Sequence, residues 1–353
     1  TPVSAFLNSS YDGSFIAGLM ELRYIQSLPV ERIINYFESH GFTLKKPTAH
    51  KLMEKASSLF ENLYKCIRQT ALGDPYKAAD ETYYKILVPE KNSKGKGVRK
   101  GYLWVVVGIN TRMIYLLYDD GSRSEKVILN ELGGCKGIIQ SDGYSPYRKL
   151  ESDAYPHITR IPCLQHIKRK FIDCGEDEPD AKRIVELINT LYQNEHKHKI
   201  GVDGWTVEQN LVHRKKYAPD ILGEIKDVLD DIEERGDLLP KSELKEAVTY
   251  LRNEWNAVVD IFNYGDTYLD NNIVERMNRY ISLSRKNSLF FGSHKGAERG
   301  AILYTIALTC RMNKVNLFEY LTDVINRTAE WQPNTPLEKY RQLLPDRWEK
   351  AND

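Results

Sequence analysis

Asp270-Asn271-Asn272-Ile273-Val274-Glu275-Arg276-Met277-Asn278-Arg279, running on to Ser284-Arg285-Lys286-Asn287, reads as the opening of a helix. Asn271 or Asn272 can cap it, and Ile273, Val274, Met277 and Ile281 recur at helical spacing. Glu275 falls beside those apolar positions, so it points inward or into a cleft rather than to bulk water. Arg276, Arg279, Arg285 and Lys286 surround it. An ion-paired surface helix accounts for such a pattern. So does a metal-holding carboxylate beside groups that bind phosphate. Two aspartates further upstream favour the second reading.

The first of them lies where the period changes from helical to extended. Ala79–Val88 reads as a strand carrying Asp80, and the Gly- and Lys-rich segment 91–100 reads as a hairpin loop. Tyr102–Ile109 is an apolar, valine-rich buried strand. Asn110-Thr111 turns the chain, and Met113–Tyr118 pairs back. Ser124–Leu132 reads as a short helix. Gly137–Ser141 is a fourth strand, and Asp142 follows it directly, before Gly143. His157–Pro162 is a candidate fifth strand, and Cys163-Leu164-Gln165-His166 opens a basic helix through Phe171. Three antiparallel strands, a helix and a fourth strand suit a small mixed α/β sheet in which Asp80 and Asp142 converge, with Glu275 added from a packed helix.

Flanking this core are helical stretches. Ser14–Met20, Val30–Phe37 and a basic third helix over Thr48–Thr70 precede it, the last two being a candidate helix-turn-helix. Residues 176–252 are charged, helical in period and nearly free of strand signals. Gly296–Cys310 and Asn316–Asn326 read as helices, and Pro333–Asp353 as a polar tail. The predicted organisation is a helical N-terminal region over 1–75, the first part of the core over 76–175, a helical insertion over 176–265, core completion with the Glu275 helix over 266–330, and a tail over 331–353.

Composition narrows the class. With 353 residues, 41% of them apolar, a sizeable core can form. No apolar run reaches the 18 or so residues of a membrane span. Five scattered cysteines without a C-x-x-C pair suit a reducing, cytoplasmic setting. The net charge of +1 does not announce a nucleic-acid binder, but charge is segregated. Five basic residues crowd 91–100, His166–Lys170 is basic, and Asp220–Asp237 carries eight acids. Three oxygen ligands, Asp80, Asp142 and Glu275, suit Mg²⁺ or Mn²⁺. Two such ions would stabilise the attacking and leaving oxygens of an in-line phosphoryl displacement.

Beside this chemistry stands a resemblance. Ala79–Thr82, Gly101–Trp104, Gly137–Tyr144, Cys163–Phe171, Asp270–Arg276 and Ser284–Phe290 occur in one order that resembles the transposases of the insertion sequence 66 family, from about Ser14 to about Ile325. The resemblance implies a ribonuclease H-like core with an Asp, Asp, Glu triad at Asp80, Asp142 and Glu275, and an insertion between the second and third acids. Members usually carry Trp-Ala where this chain has Leu164-Gln165. They often carry a cysteine-rich region ahead of the part seen here, so a start at Thr1 reads as truncated. The function implied is cutting of transposon ends and joining of their 3′-hydroxyls to target DNA. The expected partners are transposon-end and target DNA, further copies of the chain in a homo-oligomer, and accessory proteins of the element, in the bacterial cytoplasm at the nucleoid.

His166 is a candidate contact to the scissile phosphate or a metal-bound water, or a structural neighbour of buried Cys163. Lys168 and Arg169 are candidates for DNA backbone contact, as are Arg276, Arg279, Arg285, Lys286 and Asn287, with a solvated helix face as the plain alternative. Two rivals to the transposase remain at this point: a ribonuclease H-like nuclease that cuts without joining, and a DNA-binding protein without catalysis.

Overall fold

The computed structural model describes residues 4–6, 9–91, 95, 97–236, 238–329, 331–332 and 334–349. It is a mixed α/β protein in which helices outweigh strands, of the ribonuclease H-like kind. The chain divides into two compact units, one made of residues up to Lys136 and from Ile273 onward, the other of Gly137–Asn272.

The first unit opens with four helices, α1 (Gly13–Tyr24), α2 (Val30–Ser39), α3 (Lys46–Leu59) and α4 (Glu61–Gly73). Its strands follow as β1 (Tyr76–Leu87), β2 (Val98–Gly108) and β3 (Met113–Leu117), and α5 (Glu125–Leu132) completes this part. The strands pair antiparallel, with Asp80 opposite Val105 and Val106 opposite Tyr115. Leu103–Val107 is buried on both faces, which explains its unbroken apolar run. Asp74 ties the β2–β3 turn. Its Oδ1 accepts from the Tyr76 amide at 2.9 Å and its Oδ2 from the Thr111 amide at 2.6 Å. Of the hairpin loop expected at 91–100, residues 92–94 and 96 lie outside the described residues.

The expected helix over Thr48–Thr70 is two helices, broken at Phe60. Ser57 Oγ donates back to the Glu54 carbonyl at 2.8 Å, which loosens a helix at that turn. Phe60, fully buried at φ −92° and ψ 2°, then re-aims the chain.

In the second unit, β4 (Gly137–Ser141), α6 (Ser145–Arg148) and β5 (Ile158–Pro162) come first. β4 and β5 run parallel, Gly137 opposite Ile158 and Ser141 opposite Pro162. Four helices follow: α7 (Leu164–Asp173), α8 (Pro179–Glu195), α9 (Val207–Arg235) and α10 (Glu243–Ile261). α9 starts on a Thr206/Gln209 capping box and stops at Gly236, whose φ of +67° suits glycine. Arg214, buried inside this helical region, donates to Glu195 Oε2 at 3.0 Å and to Thr267 Oγ1 at 2.7 Å.

Three long helices and a short one complete the first unit: α11 (Asn272–Ser288), α12 (His294–Met312), α13 (Leu317–Thr328) and α14 (Leu337–Arg341). α12 is apolar almost all round and buried accordingly. It covers β3. Thr309 Oγ1 accepts from the Ile114 amide at 3.2 Å and Thr305 Oγ1 from the Leu116 amide at 3.0 Å, so the strand's open amides are satisfied by a helix. The stretch expected to be a polar tail instead packs. Tyr340, Leu343 and Leu344 are buried, and Tyr320 Oη donates to the Leu343 carbonyl at 2.7 Å.

Candidate active site

β1 positions Asp80 midway along the strand, half-buried, on the face it shares with Ala78, Thr82 and Tyr84. Its Oδ2 accepts from Asn278 Nδ2 of α11 at 2.5 Å, and its Oδ1 from the Glu81 amide at 2.8 Å. Glu81, the adjacent acid, points elsewhere: its Oε1 takes Arg123 Nη2 at 2.5 Å and Nε at 3.0 Å. Glu275 is half-buried in the first turn of α11. It lies three residues before Asn278, on the same helix face. Within the first unit, then, Asp80 and the helix face bearing Glu275 are brought together. Just ahead of α11, Asp270 Oδ1 accepts from the Asn272 amide at 3.1 Å.

In the second unit, Asp142 directly follows β4. Its Oδ1 accepts from the Tyr144 amide at 3.1 Å. The loop is clamped from two sides. Tyr250 Oη on α10 accepts from the Gly143 amide at 2.8 Å, and a Cβ at 143 would collide with the Tyr250 ring, so only glycine fits. Arg160 of β5 donates through Nη2 to the Asp142 carbonyl at 2.8 Å and through Nε to Ser141 Oγ at 3.1 Å. The same guanidinium meets Glu254 Oε2 of α10 at 2.6 Å, with side chains 0% and 1% exposed. Arg160 also meets Glu151 Oε1 at 2.6 Å, whereas removing Arg160 would leave buried Glu254 with only Arg148, 3.9 Å away.

His166 sits half-buried in the first turn of α7. Cys163 is buried ahead of it, and its Sγ accepts from the Asn271 amide at 3.2 Å. Burial pushes the Cys163 thiol up to about 12, so it stays protonated at neutral pH. That fits a structural thiol.

The basic candidates separate by environment. Arg276, Arg279, Lys286 and Arg169 are exposed, and Lys168 is half-buried. Arg285 is engaged within the fold, Nη1 donating to the Tyr83 carbonyl at 2.6 Å while its guanidinium lies 3.8 Å from the Tyr83 ring centroid. Asn287 Nδ2 donates to the Ser27 carbonyl at 3.1 Å. These two hold the end of α11 in place.

Asn278, Arg160, Glu254 and Tyr250 were not among the residues expected from the sequence. Asn278 carried a signal, its i+3 spacing from Glu275. Arg160 carried another, a lone charge inside the apolar strand Ile158-Thr159-Arg160-Ile161.

A mixed α/β fold with antiparallel β1–β3, parallel β4 and β5 and flanking helices has the form of a ribonuclease H-like protein. A family model described as "Transposase IS66 family" matches residues 8–299, and the chain belongs to that family. Similar proteins occur in Sinorhizobium fredii (strain NBRC 101917 / NGR234). "Uncharacterized protein y4jD" is 25% identical over 346 residues, 94% of this chain and 65% of its own length. "Uncharacterized protein y4hP" is 25% identical over 347 residues, 92% of this chain and 60% of its own. "Uncharacterized protein y4qI" is 29% identical over 275 residues, 74% of this chain and 49% of its own. The chain thus spans between about half and two thirds of the length of these curated relatives. No helix among the described residues is long and apolar enough to cross a membrane.

Proposed function

We propose that this chain carries the catalytic core of a DNA transposase that cuts transposon ends and joins the freed 3′-hydroxyls to target DNA. The observation that carries the reading is the Asp80–Asn278 hydrogen bond, which sets a strand acid against the helix face of Glu275 inside a chain of the IS66 transposase family. Asp80, Asp142 and Glu275 offer hard carboxylate oxygens, a donor set that suits Mg²⁺ or Mn²⁺. Two such ions, held by these three residues, would supply positive charge to the attacking and leaving oxygens of the phosphoryl group. The chain's own residues do the rest. Asn278 orients the Asp80 carboxylate. Arg160 and Tyr250 fix the backbone on either side of Asp142. Arg276, Arg279, Lys286, Lys168 and Arg169 bind backbone phosphates and hold the strand for in-line attack. His166 is assigned contact with the scissile phosphate. Further copies of the chain and accessory proteins of the element would assemble on paired DNA ends.

The test is a cleavage and strand-transfer assay on labelled DNA carrying the element's ends, with Mg²⁺ or Mn²⁺. Joined products support the transposase. Nicking without joining, by the full-length protein, would instead identify a nuclease. DNA binding without either would identify a non-catalytic binding protein.

A further inference from the structure

The first unit contains a pocket of about 550 Å³, a size typical of small-ligand sites and too small for a duplex. Tyr24, Met53, Phe291 and Leu303 give it an apolar lining. Arg23, His50, Lys46 and Arg299 give it positive charge. Lys46 is paired with Glu31 and Arg299 with Glu54. Arg23 is different. It is 7% exposed, its Nη1 donates to Ser284 Oγ at 3.1 Å, and among the described residues no carboxylate pairs with it. Tyr24, whose ring centroid lies 5.5 Å from the guanidinium, and Tyr84 help to hold that charge, so it stands at the pocket wall as a cation with no carboxylate beside it among the described residues. Ser288 Oγ, another lining group, is buried with no hydrogen-bond partner among the described residues.

Ser293 and Gly296 add the first turn of α12, a 19-residue helix whose Gly296 amide donates to the Ser293 cap at 3.0 Å and whose end carries a positive dipole field. The cationic field also registers at His50. Burial first, then Lys46 and Arg299, hold it below its ordinary value, with Glu31 opposing and Arg23 adding the least. At the pocket's rim, Leu289 sits at φ +25°, a backbone region that disfavours a leucine. Two residues on, Phe291 bridges to Ile86. Leu289 and Phe290 are 58% and 46% exposed, an apolar edge on which an unstacked base can rest.

We propose that this pocket receives one nucleoside-phosphate unit of a DNA strand, its phosphate among Arg23, Arg299 and the first turn of α12, its sugar and base against Tyr24, Met53, Phe291 and Leu303. The inference deepens, and rests on, the DNA-processing reading above. It gives the protein a place to hold an unpaired nucleotide, built from residues other than the three acids.

The experiment is a titration of the folded chain with thymidine 5′-monophosphate, inorganic phosphate and thymidine, following the His50 ring resonances. Thymidine monophosphate should bind saturably and move the His50 titration upward, with phosphate and thymidine each weaker by about tenfold or more. Arg299→Gln, checked for an unchanged melting temperature, should weaken the nucleotide about tenfold, as loss of a charge-assisted contact does. Arg23→Met should do the same if it folds. A single-stranded oligothymidylate that displaces the mononucleotide identifies the source as a DNA strand, and one that does not identifies it as free nucleotide. No saturable nucleotide binding by the parent chain, or binding indifferent to Arg299→Gln, would overturn the assignment. So would phosphate binding as tightly as the nucleotide. Such a failure leaves Glu275-dependent cleavage intact, whereas failure of the transposase reading removes that cleavage itself.

Discussion

Asn278 is one helical turn beyond Glu275 and donates to Asp80, so a neutral amide sets the orientation of one acid from the helix that carries another. Partners of this kind, one step behind a metal-binding carboxylate, are worth roughly 10- to 100-fold in metal affinity or activity. Asn278→Ala should therefore raise the Mg²⁺ concentration needed for half-maximal cleavage by about that factor while shifting the melting temperature little. A metal titration of the variant, beside a thermal melt, checks both. At this scale much was legible in the sequence. Asp80, Asp142 and Glu275 stand out by their places at a strand, a strand end and a helix start. What separates Asp80 from Glu81 was not legible, because it depends on Arg123, 42 residues away in the chain, claiming Glu81. The engagement of Arg285 with Tyr83 was hidden for the same reason: a basic residue near a site reads the same whether it faces phosphate or a tyrosine ring.

Between elements, the pair joining β5 to α10 has the largest predicted effect. Arg160→Met leaves Glu254 buried without its closest partner, and should destabilise the protein by about 3–5 kcal/mol. Replacing both with apolar residues should cost less than the sum of the single changes, the coupling expected of groups in contact. Denaturant melts of Arg160→Met, Glu254→Met and the double variant measure it. The Glu195–Arg214 pair joins α8 to α9 and carries a pH signature. Burial works to raise the Glu195 carboxyl, but Arg214, Tyr217 and Asn210 outweigh it and hold it below its ordinary 4.5. A depressed carboxylate adds stability above that ordinary value and loses it as pH falls through the lower folded-state value. The stability gap between the parent and Glu195→Gln should accordingly be full at neutral pH and close as the solution is acidified below about 4.5. Strands were readable because apolar runs and turn residues bound them. The break at Phe60 was not, since neither glycine nor proline marks it and the cause is a serine back-bond together with a buried ring. Nor was the packing of α14, whose few apolar residues acquire meaning only against α4.

For the molecule as a whole, a net charge of +1 conceals local basic groups, and binding to DNA should depend on those. Each exposed phosphate contact removed should lower the salt slope of binding by about 1. Arg276→Ala, Arg279→Ala and Lys286→Ala are predicted to do so, whereas Arg285→Ala should act through stability instead. Binding isotherms between low and moderate salt distinguish the two behaviours. The central claim is the acid triad, and the most direct measurement is cleavage of labelled transposon-end DNA by the full-length protein in Mg²⁺ or Mn²⁺, set beside Glu275→Gln and Asp142→Asn. Metal-dependent nicking and joining that both substitutions abolish, with DNA binding retained, is the predicted result. Cleavage that survives Glu275→Gln unchanged would contradict the assignment and place the third acid elsewhere in the chain.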